Sequence, residues 1–163
     1  MRRRLTTVAV VAVLQLVMVG VAVAPRLSAY VRGDEYLLRV APVDPVDPFR
    51  GAYVDLTYPD LQPGDGRRGQ ELRSGGTTYI PLVRDGAYWV GAGYRTERPV
   101  DGPYLTCDSQ GFSVTCGIES WFTDQDEARR LQHEVADGAV ATVRIDDRGN
   151  AAVVALEPGA GEQ

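Results

Sequence analysis

The sequence predicts a mainly β fold: one N-terminal transmembrane helix, then a single antiparallel β-rich domain with one short α-helix. Three observations lead there. Leu5 to Ala24 is a run of twenty residues without a charge. From Glu35 onward, short stretches rich in Val, Ile, Tyr and Thr alternate with turns rich in Gly, Pro and Asp. One segment alone, 123–135, spaces its apolar residues as a helix does.

The apolar run comes first. As a helix it spans about 30 Å, the thickness of a bilayer's hydrocarbon core. Eight valines disfavour a helix in water, but lipid forces every backbone group into internal hydrogen bonds. Arg2, Arg3 and Arg4 precede the run and only Arg26 follows closely, so the positive-inside rule puts residues 1–4 in the cytoplasm and the remainder outside. The alternative is a cleaved signal peptide, since Ala22-Val23-Ala24 resembles a cleavage site. Against it, the run exceeds the usual h-region of about 7–15 residues, and Pro25 would directly follow the cut. The expectation is a signal-anchor helix over 5–24, a single-pass cell-membrane location and a short tether over 25–33.

Charge fits this division. Of 163 residues, those from 31 onward hold all 22 acids and 13 of the 17 arginines, a net charge of −9. A nucleic-acid partner is therefore not expected, because such binding rests on a basic surface. The chain has no lysine, which excludes Schiff-base and P-loop lysine chemistry, and its one histidine excludes a His-rich metal site within one chain. No cofactor or metal is expected.

The extracytoplasmic domain is read as 34–157, with a disordered tail over 158–163. Strands are expected at 35–40, at 52–58, where Ala52, Val54, Leu56 and Tyr58 share a face, and at 77–83 and 87–94, joined by an Asp85-Gly86 turn. Residues 60–76 read as a polar, glycine-rich loop. Cys107 and Cys116 lie on either side of the turn formers DSQG. A hairpin pairing them opposes Asp108 to Thr115 and Ser109 to Val114, and an oxidising location makes them a disulfide rather than two buried thiols. Thr123 is a good N-cap for the helix over 123–135, on which Ala128, Leu131 and Val135 form a stripe. Strands 139–145 and 151–156 flank a final turn, DDRGN.

The densest stretch is DPVDPFRGAYVDLTY, Asp44 to Tyr58. Proline holds Asp44 and Asp47 in extended geometry, and Gly51 can take a positive φ before the strand. Turn, glycine and strand account for the residue types. The same carboxylates also admit a functional reading, as cation ligands or an acid/base pair. Two carboxylates are short of the six to eight oxygens calcium gathers, and nothing in the spacing makes them converge.

Gly51, Tyr53, Leu56 and Tyr58 in GAYVDLTY, preceded by PVDPVDPFRG, resemble the motif of the GDYXXLXY family of bacterial membrane-anchored proteins. GIESWFTDQDEARRLQ and the ending VRIDDRGNAAVVAL are similar to that family's downstream segments, so the resemblance runs nearly the whole chain. The motif's Asp is Ala52 here, which favours a turn-forming role for that position over chemistry. The family brings no established activity. The resemblance implies a multi-spanning membrane protein as partner.

Glu119, between apolar neighbours, reads either as a partly buried acid or as the partner of Arg50 in a structural ion pair. Asp44, Asp47, Arg50, Gly51, Tyr53 and Glu119 are the candidate binding face. The expected function is non-catalytic binding of an integral membrane protein or envelope component. The alternatives are a hydrolase using Asp44, Asp47 or Glu119, and a small-ligand sensor with a pocket between strands.

Overall fold

The computed structural model describes residues 2–42, 53–62, 75–110, 113–122 and 138–159. Helix α1 (Arg2–Arg32) is continuous over 31 residues. It is thus about 46 Å long, and its Thr6–Arg32 portion is apolar and long enough to cross a membrane. Pro25 sits inside it and removes one backbone donor without ending it. The expected tether is therefore helical up to Arg32.

Two antiparallel sheets follow. The first has the order β7-β2-β1-β8-β9 and the second β4-β3-β5-β6. Their strands are β1 (Asp34–Pro42), β2 (Tyr53–Thr57), β3 (Gly76–Asp85), β4 (Tyr88–Gly91), β5 (Tyr104–Gln110), β6 (Ser113–Thr115), β7 (Ser120–Phe122), β8 (Ala139–Ile145) and β9 (Ala151–Pro158). A short 3₁₀ turn, Pro59–Leu61, follows β2. The fold is mainly β, as the alternation predicts. Strand β4 ends at Gly91, earlier than the sequence suggests, and the chain returns to β3 through a bridge between Tyr79 and Arg95. The helix expected over 123–135 lies outside the described residues, as do residues 63–74 of the loop expected over 60–76. The described ends of that loop belong to the 3₁₀ turn at Asp60 and Leu61 and to β3 at Gly76.

Alternation builds the core. In β8, Ala139, Ala141, Val143 and Ile145 are buried while the residues between them are only partly covered. In β5, Leu105 and Cys107 point the same way and meet Leu38 and Val40 of β1 and Ile80 and Leu82 of β3. A fully buried Leu such as Leu105 contributes about 2 kcal/mol by area. Tyr36 packs edge-on against Trp89, with ring centroids 5.1 Å apart, and extends the core to the β4 edge.

The last turn joins the sheets to each other and to the helix. Asp146 accepts hydrogen bonds from the Arg148 and Asn150 amides, both at 2.9 Å, and from the Asn150 side chain. Gly149 has φ +77°, and its carbonyl accepts the Thr106 amide of β5 at 2.8 Å. A Cβ there would come within 2.6 Å of the Tyr104 ring, so no larger residue fits. Ser28 of α1 donates to Asp146, burial of Ala29 is complete, and Arg144 reaches the Tyr30 carbonyl at 2.7 Å. Gly33, where helix gives way to strand, is packed so closely that a Cβ would lie 2.5 Å from the Ala29 carbonyl and 2.8 Å from the Ile145 nitrogen. The helix end is thus bonded to the domain at several points.

Candidate functional site

Strand β2 carries the second half of the motif and lies between β1 and β7. Its register sets Tyr53 against Phe122, Val54 against Trp121 and Asp55 against Ser120. The ladder continues with the Leu56 amide donating to the Glu119 carbonyl at 2.7 Å. The two dense stretches of the sequence, GAYVDLTY and GIESWF, are therefore hydrogen-bonded neighbours.

Leu56 and Tyr58 turn inward, as the alternation predicts, and both are buried. The Tyr58 hydroxyl donates to the Ile118 carbonyl at 3.0 Å. Burial, reinforced by the negative charge of Glu119, pushes the Tyr58 phenol above its ordinary range. It stays protonated and acts as a fixed donor.

Glu119 takes part in a turn that the sequence does not predict, while its expected partner Arg50 lies outside the described residues. Its carboxylate accepts the backbone amides of Cys116 and of Gly117, the latter at 2.8 Å. Both oxygens are thus occupied in closing the turn that follows the second cysteine. Cys107 and Cys116 form a disulfide with a Cα–Cα distance of 4.1 Å. The hairpin around them has the expected pairs, Asp108 with Thr115 and Ser109 with Val114. The disulfide, the Glu119 cap and the Tyr58 bond hold the base of the cysteine hairpin against β2.

Between these elements a groove of about 160 Å³ opens between the sheets. Leu56, Ile80, Val114 and Ile118 give it an apolar floor, while Tyr94 and Glu119 supply polar atoms on its wall. The Cys116–Glu119 turn on that wall also meets the helix, because Arg26 donates to the Gly117 carbonyl at 3.4 Å.

Of the residues expected to form a binding face, Asp44, Asp47, Arg50 and Gly51 lie outside the described residues, and Tyr53 is placed only by its backbone. Sequence reasoning missed a second knot, in which Arg39 bonds Asp60 at 2.6 Å and Asp85 at 3.2 Å and lies over the Tyr88 ring. Solvent screens ion pairs as exposed as these, so they add little to stability. Among the described residues, no group of three or more His, Cys, Asp or Glu side chains gathers as a metal site.

The family described as GDYXXLXY protein matches residues 15–156. No curated protein and no solved structure matches the chain.

Proposed function

Because the chain belongs to the GDYXXLXY family, whose match covers 15–156, we propose a function in the terms its own geometry supports: a membrane-anchored, extracytoplasmic domain that binds an integral membrane protein or envelope component without doing chemistry. In this reading α1 is an uncleaved, single-pass anchor with its N-terminus in the cytoplasm. Three arginines directly before the apolar run, against Arg26 alone close after it, support that orientation.

The carrying observation is the contact of Arg26 with Gly117. It brings the wall of the groove to the point where the helix leaves its apolar stretch, which is where a partner embedded in the same bilayer would be met. The motif residues Leu56 and Tyr58 support a structural role, since both are used to build that groove. Glu119 accepts two backbone amides, which supports a structural role for it in the groove wall. The alternative of a small-ligand sensor would have to use this groove, whose volume of about 160 Å³ is smaller than the roughly 300 Å³ at which drug-sized ligand pockets begin.

Affinity capture of the full-length protein from membranes tests the proposal, with Val114→Arg placed in the groove and Thr77→Ala outside it. The expected result is a membrane protein retained by the parent and Thr77→Ala but lost by Val114→Arg. Retention by all three would reject the groove as the contact. A reporter fused after Gln163 tests orientation: activity of a secreted-phosphatase fusion is expected, and cytosolic fluorescence would reject it.

A further inference from the structure

The contacts of the helix end determine which part of the domain meets the bilayer. Given the anchor proposed above, these contacts also define a lipid-contact surface. Ser28 follows the end of the apolar run, Ala24, by about 6 Å of helix rise. The headgroup layer on each side of a bilayer is roughly 5–8 Å thick, and any tilt of the helix only lowers that height. Ser28 donates to Asp146, so the Asp146–Asn150 turn sits at the outer edge of the headgroups. Arg26 lies lower still, and Gly117 lies with it.

The neighbouring loop is attached to the same turn. Arg98 donates to the Asp147 carbonyl at 2.7 Å, and Tyr104 donates to that oxygen at 3.0 Å. Arg98 and Arg148 are exposed, and Val100 is 95% exposed on the loop that follows Arg98. The opposite end is well removed. Asp85 bonds Arg39, five residues along β1 from Asp34 and thus about 17 Å further from the helix junction.

We infer that the 95–102 loop and the Asp146–Asn150 turn form a lipid-contact surface, with Arg98 and Arg148 among the headgroup phosphates and Val100 dipping into the interface. Arg95, Arg98 and Arg148 share this surface with the exposed carboxylates Glu97, Asp101 and Asp147, so it carries both signs. It thus matches a zwitterionic headgroup layer, with arginine on phosphate and carboxylate on the cationic headgroup end. A lone exposed valine beside them can enter the boundary between headgroup and acyl chain. The domain therefore lies on the bilayer with one defined end down. The β3–β4 turn points away from it.

The test uses the full-length chain in phosphatidylcholine vesicles, with and without bromine on the acyl chains. Val100→Trp and Ala87→Trp each add a reporter at an exposed position, and the parent supplies the background of Trp89 and Trp121. The emission added by V100W is expected to shift to the blue and to be lost on bromination, whereas that added by A87W keeps its wavelength and intensity. Equal behaviour of the two in protein that resists carbonate extraction would overturn the lipid-contact surface and leave the anchor intact. Release of the parent by carbonate would overturn both.

Discussion

The helix–sheet junction and the motif groove are both built from chain segments distant in sequence, but they are held in opposite ways. At the junction the backbone itself is packed tight: Gly33 has no room for a Cβ between Ala29 and Ile145, and Ala29 is wholly buried. At the groove, side chains hold the backbone of the walls in place. Tyr58 reaches the Ile118 carbonyl, Glu119 takes two amides, and the disulfide closes the hairpin beside them. Close packing transmits orientation, whereas bonded walls around a void leave surface for a ligand or partner. In the proposed function, the part that fixes the pose is thus separate from the part that binds.

Substitutions that strike one region and spare the other test this separation. The largest effect is expected at the groove floor. Leu56→Ala removes a buried side chain and should cost about 3 kcal/mol in thermal unfolding of the full chain, with the helix content retained. Gly33→Ala should cost about 2–3 kcal/mol, because the atoms in its way are backbone and cannot swing aside. Unlike Leu56→Ala, it should also loosen the helix from the sheets, visible as faster amide exchange at Gly33 and Ile145.

Cys107→Ser with Cys116→Ser opens a loop whose ends are 9 residues apart and should cost about 2–3 kcal/mol. Tyr58→Phe leaves the Ile118 carbonyl without its donor, for about 1–2 kcal/mol. Neither should alter exchange at the junction.

The smallest effect belongs to acid. Burial tends to raise the Asp146 carboxyl, but hydrogen bonds from Asn150, Ser28 and the Arg148 amide outweigh it and hold the group below its ordinary value. A carboxyl depressed in the folded state contributes stability in full above about pH 4 and loses it as pH falls through the lower folded value. Melting curves below pH 4 should therefore fall less steeply in Asp146→Asn than in the parent.

Local features of this fold are legible in the sequence. The alternation of β8, the Asp85-Gly86 turn and the register around Cys107 and Cys116 all depend on residues within a few positions of each other. The long apolar helix is equally plain. What sequence reasoning misses depends on distant partners. The tightness at Gly33 exists because Ile145 arrives beside it, and Asp146 gains its role from Ser28. Pro25 and Gly33 suggest a tether to a local reading, yet the helix continues to Arg32 because the sheets receive its end. Glu119 is singled out by its apolar neighbours, but among the described residues it accepts amides of its own turn, a pairing that side-chain patterns do not announce.

The continuous helix-to-sheet junction is the claim on which orientation, groove placement and lipid contact all depend. Backbone order parameters for Arg26 to Gly33, measured by NMR on the full chain in lipid nanodiscs, address it most directly. Values near 0.85, equal to those of β1 and β8, are expected of a rigid splice. Values below about 0.6 across these residues would show a flexible tether and contradict it.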